Sequence, residues 1–254
     1  MVDKFLNIDC FEGIKTIEDN SVDLILEDMP YNTTACSWDV KIDLELYWET
    51  RLRIIKSTGV ICLTASQPFT SELVVSNKEM FKYEWVWIKS LAANFMNAKN
   101  APLKKHENVL IFANGTIANG SRGRMKYNPQ NIVRVNSKWK RPNRTISEHN
   151  YDRPSHSYDR TIEFSGYPST IVEFSNPNNN TEHPTQKPVG LFEYLIRTYT
   201  NEGDLVFDGF GGSGTTAIAA HKSNRNFIVI EKERKYYELA KKRLDTERAQ
   251  LKMF

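Results

Sequence analysis

Apolar residues in the first part of the chain follow two alternating patterns. Short apolar runs rich in β-branched and aromatic residues predict strands, and longer stretches with helical spacing predict helices. The strands are predicted at residues 23–26, 59–64, 83–88 and 108–112, and the helices at residues 44–55 and 71–82. This alternation is typical of a largely parallel sheet with helices on its faces.

The pattern stops near residue 114 and returns near residue 181. The segment between is rich in Asn, Ser, Arg, Pro and Tyr, which predicts an irregular insert. After it, strands are predicted at residues 204–207 and 227–230, and helices at residues 192–199, 215–221 and 234–251. We therefore predict one α/β domain in two parts, residues 1–113 and 181–254, interrupted by an insert at residues 114–180.

Composition excludes several classes of protein. The chain has 254 residues, of which 40% are hydrophobic, enough for a large core. The longest apolar runs are shorter than the roughly 18–20 residues of a membrane span, and the first residues lack the features of a secretory signal. The 3 cysteines are scattered without paired spacing, which favours a reducing compartment and argues against a metal site. We expect a cytoplasmic protein without a metal or a membrane partner.

Positive charge is concentrated in the insert. Residues 122–160 carry ten Lys and Arg against three Asp and Glu, whereas the whole chain has a net charge of only +3. A basic segment on a mildly acidic body indicates a polyanionic partner, and a solvated basic loop is the alternative.

A glycine-rich turn follows the strand predicted at residues 204–207. Gly209, Gly211 and Gly214 have the spacing of a nucleotide-binding loop, and Glu231 ends the next strand where a ribose-binding acid belongs. A dinucleotide, a nucleoside cofactor such as S-adenosylmethionine and a purely structural turn are all compatible with this pattern. Asp208 favours the second, because a carboxylate repels a pyrophosphate but suits a ligand that carries an ammonium and a sulfonium.

A second carboxylate ends the strand predicted at residues 23–26. The segment Asp28-Met-Pro-Tyr31 and the loop Phe207-Asp-Gly-Phe-Gly-Gly-Ser-Gly-Thr-Thr216 together resemble the two signature motifs of the DNA amino-methyltransferases. These are the catalytic Asp-Pro-Pro-Tyr motif and the Phe-x-Gly-Ser-Gly-Thr-Thr cofactor loop. The order of catalytic motif, insert and cofactor loop is that of the β-type subgroup. The flanks at residues 7–24 and 183–199 match as well, so the resemblance covers residues 1–113 and 181–245.

The resemblance implies a fold, a cofactor and a set of site residues. The fold is a Rossmann-like methyltransferase sheet, mostly parallel with one antiparallel strand, with circularly permuted motif order. The catalytic residues implied are Asp28, Met29, Pro30 and Tyr31. The residues implied to bind S-adenosylmethionine are Asp9, Cys10, Lys187, Asp208, Phe210, Gly211, Gly212, Ser213, Gly214, Thr215 and Glu231.

The chemistry of an exocyclic amine agrees with these residues. The nitrogen lone pair is delocalised into the ring, so acceptors aimed at the N–H groups favour attack and stabilise the positive charge that develops. Asp28 supplies a carboxylate and residue 29 a backbone carbonyl, while Tyr31 is expected to stack on a base flipped out of the duplex. We expect N6 methylation of adenine, because cytosine-N4 enzymes more often begin the motif with Ser.

Two positions depart from the family pattern, and three residues have simpler interpretations. Met29 replaces a proline of the catalytic motif, which reduces its rigidity, and Gly209 replaces a proline after Asp208, which is expected to loosen that turn. Asp9 is alternatively a turn residue, Glu231 a helix cap and Lys187 a surface lysine.

The family places target recognition in the insert, where this chain is basic. The residues predicted to contact duplex DNA are Arg122, Arg124, Lys126, Lys138, Lys140, Arg141 and Arg144. A homodimer is also expected. The alternatives are a cytosine-N4 enzyme, an RNA or protein amide methyltransferase, a nicotinamide-dependent enzyme, and a DNA-binding protein without activity.

Overall fold

The computed structural model describes residues 3–31, 41–139, 160–177 and 186–251. The chain divides into two compact units, one formed by Met1–Asn128 with Thr170–Phe254 and one formed by Pro129–Ser169. The smaller unit lies within the predicted insert, whereas residues 114–128 belong to the larger unit. The role of the insert in target recognition stays a prediction.

The larger unit contains eight strands in one sheet. The strands of the described residues are β1 (Lys4–Leu6), β2 (Val22–Glu27), β3 (Ile55–Ala65), β4 (Phe81–Ala93), β5 (Lys104–Ala113), β6 (Val133–Trp139), β7 (Arg160–Ser165), β8 (Ile171–Phe174), β9 (Leu205–Asp208) and β10 (Asn226–Ile230). The large sheet has the order β1-β10-β9-β2-β3-β5-β4-β8. Within it only β5 is antiparallel to its neighbours, which confirms the predicted Rossmann-like sheet with one antiparallel strand.

Helices cover both faces of this sheet. The described α-helices are α1 (Cys10–Gly13), α2 (Leu44–Ile54), α3 (Phe69–Ser76), α4 (Val189–Tyr199), α5 (Thr215–Lys222) and α6 (Arg234–Leu251). One apolar layer joins the sheet to α4, α5 and α6, and the other joins it to α1, α2 and α3. All six residues of β2 are buried, as expected for a parallel strand covered on both faces.

The sheet has two functionally different edges. Seven strands run in one direction, so their carboxyl ends share one edge, called here the carboxyl edge, and their amino ends share the other, the amino edge. Since β5 runs in the opposite direction, its first residues lie at the carboxyl edge. Ligands of open α/β sheets bind at the carboxyl edge.

Two predictions of local structure were wrong. The helix predicted at residues 71–82 ends at Ser76, and β4 begins at Phe81, because residues 77–80 form a turn in which the Asn77 side chain accepts from the N–H of Met80. The insert was predicted to be irregular, but β6 and β7 form an antiparallel pair within it. None of the described helices is long and apolar enough to cross a membrane. Within the same residues, no group of three His, Cys, Asp or Glu side chains is arranged to hold a metal ion.

Candidate active site

Two carboxylates lie at the ends of two neighbouring strands. Asp28 directly follows β2, and Asp208 is the last residue of β9. The strands are parallel, and the pairing of Ile25 with Phe207 places their ends side by side at the carboxyl edge. The geometry therefore brings together the two segments that the sequence singled out.

Asp28 is held by three hydrogen-bond donors among the described residues. The Tyr31 hydroxyl donates to Oδ1 over 2.7 Å, the Thr64 hydroxyl donates to the same oxygen, and the Lys187 ammonium donates to Oδ2 over 2.7 Å. A carboxylate has about four acceptor positions. These contacts leave one position on Oδ2 for a further donor.

Tyr31 stays a neutral phenol in this environment. Burial raises its pKa well above the usual value, and the charges of Asp28 and Glu107 raise it further. Its ring centroid lies 5.4 Å from that of Phe69 and 5.8 Å from the Lys187 nitrogen. The phenol therefore acts as a hydrogen-bond donor that fixes Asp28.

Lys187 lies between two carboxylates and is almost completely buried. Its side chain is 8% exposed, and its ammonium is 3.5 Å from Oε2 of Glu107, which also forms an ion pair with Lys89. Burial lowers the pKa of Lys187, but Asp28 and Glu107 more than offset this and raise it above the usual value. Burial likewise raises the pKa of Glu107, but Lys187 and Lys89 outweigh it and lower the pKa overall. Lys187 and Glu107 are thus both charged at neutral pH, and the alternative of a surface lysine is wrong.

Asp208 has no cationic partner among the described residues. It is 2% exposed, its Oδ1 accepts from the N–H of Phe210 over 2.8 Å, and its Oδ2 accepts from the Thr216 hydroxyl. Burial raises the pKa of Asp208 to about 8; the Thr216 hydroxyl opposes this, and the negative charge of Glu27 adds to it. A buried carboxylate in this setting gains most from a positively charged ligand.

The glycine loop packs tightly between β9 and α5. Gly214 has a φ of +79°, and a Cβ added there would lie 2.7 Å from the Cβ of Ala240. The loop is fixed at its middle by the N–H of Gly211, which donates to the carbonyl of Ile230 over 2.8 Å. Ser213 and Thr215 are buried, and the Thr215 hydroxyl donates to the carbonyl of Lys187 over 3.3 Å.

A completely buried ion pair supports the start of this loop. Glu27 and Arg51 are both 0% exposed, with Nη2 and Oε1 2.9 Å apart, and Tyr47 donates to Glu27 Oε2 over 2.5 Å. Oε1 also accepts from the N–H of Gly209 over 2.9 Å. The turn after Asp208 is therefore fixed by a contact that proline, which has no N–H, cannot make, and the expected loosening at Gly209 is not observed.

Glu231 joins the glycine loop to the start of α6. Its Oε2 accepts from the N–H of Gly212 and its Oε1 from the N–H of Glu233, each over 2.7 Å. Burial raises the pKa of Glu231, which the two backbone donors partly oppose. Because α6 begins at Arg234, the contact with Glu233 fixes the turn before the helix, and Glu231 is not the N-cap that was the alternative. The contact with a ribose stays a prediction.

Asp9 and Cys10 lie after β1 at the same edge. Asp9 Oδ1 caps α1 by accepting from the N–H of Phe11 over 2.9 Å, and its Oδ2 lies 3.2 Å from the ammonium of Lys232. Burial raises the pKa of Cys10 to about 11, so the side chain is a neutral thiol. The turn role proposed for Asp9 as the alternative is present, and cofactor contact stays a prediction.

Three of the basic residues predicted to contact DNA lie at the amino edge of the larger unit. Lys126 forms ion pairs with Asp23 and Asp204, which lie at the starts of β2 and β9. It is therefore at the amino edge with a structural role, so we no longer include it among the DNA contacts. Arg122 and Arg124 are exposed on the loop that leaves β5 at this same edge.

The remaining basic residues predicted to contact DNA lie in the part of the insert that follows residue 128. Lys138 is exposed on β6 of the smaller unit. Lys140, Arg141 and Arg144 lie outside the described residues.

Four residues of the site had no predicted role, namely Glu27, Arg51, Thr64 and Glu107. Two carried a signal in the sequence. Glu27 is a charge at the end of an apolar strand, and Arg51 shares the helical spacing of the buried Tyr47, Trp48 and Ile54. A charge on a buried face requires a partner.

Comparison with known proteins gives one concordant result. The family model of the DNA methylases matches residues 22–242. The type II methyltransferase M.HpaI of Haemophilus parainfluenzae is 28% identical over 252 residues, covering 93% of this chain and 72% of the relative. The solved structure of the M1.HpyAVI–SAM complex is 26% identical with a TM-score of 0.62, covering 96% of this chain and 100% of that one. The structure of PvuII DNA methyltransferase, described as cytosine-N4-specific, is 15% identical with a TM-score of 0.65, covering 93% of this chain and 84% of that one. At this identity the likeness shows the fold alone.

Proposed function

The chain belongs to the N6/N4 DNA methylase family, and from that premise we propose that it transfers a methyl group from S-adenosylmethionine to the N6 amine of adenine in duplex DNA. The observation that carries this proposal is the pairing of two strand ends, one with Asp28 and its remaining acceptor position and the other with Asp208 and the glycine loop.

The residues around Asp208 fit the proposed cofactor. S-adenosylmethionine carries an ammonium and a sulfonium, and when bound it supplies an electrophilic methyl group. Asp208 is a buried carboxylate without a cationic partner among the described residues, so such a ligand relieves the unfavourable burial that raises its pKa. The family assignment and the SAM complex of a 26% identical relative support this cofactor.

Asp28 is proposed to bind the target amine. Its remaining position on Oδ2 accepts one N–H of the amine, and the carbonyl of Met29 accepts the other, as the resemblance implies. Both contacts draw electron density toward the nitrogen and stabilise the positive charge that forms there during methyl transfer. Met29 has its side chain 2% exposed, so core packing holds the segment where the family has a proline.

Lys187 and Tyr31 are proposed to position Asp28. Lys187 fixes Oδ2, and Tyr31 with Thr64 fixes Oδ1, so the carboxylate is oriented before the target amine arrives. This role for Lys187 replaces the contact with the cofactor that we expected from the sequence. Preorganised acceptors cost no reorganisation during the reaction.

The choice of adenine over cytosine rests on Asp28 as the first residue of the catalytic motif. Cytosine N4 is the second candidate, since the same two acceptors suit either amine. The test is to incubate plasmid DNA with the protein and S-adenosylmethionine and to analyse the digested nucleosides by mass spectrometry. N6-methyladenine is expected; N4-methylcytosine alone would reverse the choice of base, and an absence of both would refute the function.

Duplex DNA is the proposed partner, read by the basic insert. The recognition sequence follows from modification-aware sequencing of DNA from cells that express the protein. A homodimer and a cytoplasmic location stay predictions, and light scattering at several protein concentrations tests the first.

A further inference from the structure

The connection between β4 and β5 projects beyond the sheet on the side of the site. Asn108 of β5 pairs with Ala65, the last residue of β3, and β5 begins four residues earlier, at Lys104. At about 3.4 Å per residue, the two strands extend roughly 14 Å past the carboxyl edge. The connection, residues 94–103, is called here the hairpin tip.

The base of this hairpin adjoins the catalytic carboxylate. Lys89 of β4 forms an ion pair with Glu107, which also contacts Lys187, the partner of Asp28. On the other strand, the Lys104 ammonium donates a hydrogen bond to the Ser66 hydroxyl. Ser66 lies two residues after Thr64, which contacts Asp28. The base of the hairpin therefore borders the position proposed for the target base, and the hairpin tip projects beyond the sheet on that side.

Large apolar side chains on the hairpin are exposed. Met96 is 99% exposed, Phe95 64% and, at the end of β4, Leu91 57%. Phe95 and Met96 are neighbours in sequence at the turn of one hairpin, unlike scattered surface apolar residues, which need no explanation. An exposed apolar group at the rim of a site indicates contact with a ligand or partner.

The charge of the hairpin identifies the partner. Residues 89–105 contain Lys89, Lys99, Lys104 and Lys105 and no Asp or Glu. Lys89 is paired with Glu107, whereas Lys99, Lys104 and Lys105 are exposed. Three positive charges around an apolar tip suit a surface that offers both phosphates and apolar faces. Stacked bases between phosphate backbones have that chemistry.

The hairpin tip is held in shape by its own hydrogen bonds. Asn94 has a φ of +72°, and its side chain accepts from the amide of Asn97 over 2.7 Å. The N–H of Asn97 donates to the carbonyl of Asn94, and the N–H of Ala98 to that of Phe95, each over 3.1 Å. Phe95 and Met96 are thus presented on a short helical turn and not on an extended loop.

We propose that the hairpin tip inserts Phe95 and Met96 into duplex DNA next to the target nucleotide and occupies the stacking position that the flipped base leaves. This inference rests on the proposed function, since it requires a DNA substrate. Apolar wedges of Phe and Met unstack base steps in other DNA-bending proteins, and a flipped base requires that its neighbours be kept apart. With the hairpin tip, the proposed site not only transfers the methyl group but also separates the stacked bases of the duplex.

The experiment compares the wild type with the double variant Phe95→Ala/Met96→Ala. The substrate is a duplex with the recognised sequence, in which 2-aminopurine replaces the target adenine, so that its fluorescence rises when the base leaves the stack. We expect the double variant to lose most of this rise. We also expect kcat/KM for unlabelled DNA to fall about tenfold or more, since unstacking one base step costs a few kcal/mol. Binding of S-adenosylhomocysteine and the melting temperature are expected to stay as in the wild type.

The matched control is Ile117→Ala, because Ile117 is 58% exposed on the loop at the opposite, amino edge. It is expected to behave as the wild type in every assay. A double variant that flips and methylates like the wild type would overturn the proposal, as would one whose only change is a loss of self-association. If the wild type itself methylates no DNA, the proposed function fails, so the two failures are distinguishable.

Discussion

The ammonium of Lys187 lies 2.7 Å from Oδ2 of Asp28, although 159 positions separate the two residues. Lys187 also accepts a hydrogen bond at its carbonyl from Thr215 at the end of the glycine loop. A single buried residue therefore connects the strand end that is proposed to bind the target amine with the loop that is proposed to bind the cofactor. We expect the position of Asp28 relative to a bound cofactor to depend on this contact.

Replacement of Asp28 by Asn should remove activity and leave the cofactor site intact. The amide keeps the shape but presents N–H groups where acceptors are needed, so we expect kcat to fall by about 10²–10³, as for the loss of other preorganised electrostatic groups. Transfer of tritiated methyl groups measures kcat, and calorimetry with S-adenosylhomocysteine measures binding. Asp19→Asn is the control, because Asp19 is an exposed carboxylate paired with Arg53. Unchanged activity in the Asp28 variant would refute its role.

Replacement of Lys187 by Met should lower both stability and activity. It leaves the carboxylates of Asp28 and Glu107 without the ammonium between them, and breaking a buried ion pair costs about 3–5 kcal/mol. Urea unfolding measures this loss, and methyl-transfer kinetics should show a lower kcat with little change in the KM for the cofactor.

Two further variants test the cause of the Lys187 effect. Adding Glu107→Gln to Lys187→Met should recover part of the stability, since it removes one of the two carboxylates that the Lys187 ammonium neutralises in the wild type. Lys222→Met breaks the more exposed ion pair with Glu247 and should change the free energy of unfolding by at most about 1 kcal/mol. Equal losses in Lys187→Met and Lys222→Met would contradict the importance of the buried network.

Replacement of Gly209 by Ala should disturb the cofactor loop. The added Cβ would lie 2.6 Å from Arg51 Nη2 and 2.8 Å from Glu27 Oε1, and both side chains are completely buried. Overpacking of this kind costs about 1–3 kcal/mol. We expect a lower melting temperature and a smaller rise of that temperature on addition of S-adenosylhomocysteine.

The control for this substitution is Gly190→Ala in the first turn of α4. There the added Cβ meets only the ring of Phe174, at 3.4 Å, which is ordinary van der Waals contact. Near wild-type melting and cofactor response are expected. A Gly209→Ala protein that resembles this control would show that the ion pair does not position the loop.

Cofactor affinity should depend on pH through Asp208. Burial raises the pKa of Asp208 to about 8, and the proposed positively charged cofactor binds the ionised carboxylate. Below pH 8 binding must release a proton, so affinity for S-adenosylmethionine is expected to rise with pH up to about 8. The Asp208→Asn protein should lose this part of the pH dependence. Equal plots of cofactor affinity against pH for the wild type and this variant would contradict the role of Asp208.

The same group affects stability in the opposite direction. A folded-state pKa above the unfolded value of about 3.9 means that the folded protein binds more protons between these pH values. The stability of the wild type relative to Asp208→Asn should therefore fall as pH rises from about 4 to about 8. Urea unfolding of both proteins across that range measures the difference.

Lys126 should contribute to stability and not to DNA affinity. Because it pairs with Asp23 and Asp204 at the amino edge, Lys126→Ala is expected to lower the melting temperature and to leave the salt dependence of DNA binding unchanged. Lys138→Ala, on exposed β6, should instead lower the slope of log affinity against log salt concentration by about 0.9. A reduced slope for Lys126→Ala would show that Lys126 contacts DNA and contradict this prediction.

The sequence by itself predicted six of the eight strands of the sheet, the two motifs and the family. Strand runs such as residues 23–26 and the glycine loop at residues 209–214 are local patterns, because a buried strand needs a continuous apolar run and a tight turn needs glycine. The carboxyl ends of parallel strands share one edge, so Asp28 and Asp208 were expected at the same edge of the sheet.

Only the tertiary structure decided which side chains support these motifs. Glu107 reaches the site because β5 runs antiparallel and brings its first residues to the carboxyl edge. Lys187 contacts Asp28, which lies 159 positions away in the sequence. Lys126 lies at the amino edge because it pairs with Asp23 and Asp204, which are 103 and 78 positions away. Such pairs depend on distance in space. Buried strands and helices leave a periodic pattern of apolar residues in the sequence, but a charged residue leaves no pattern that identifies its partner.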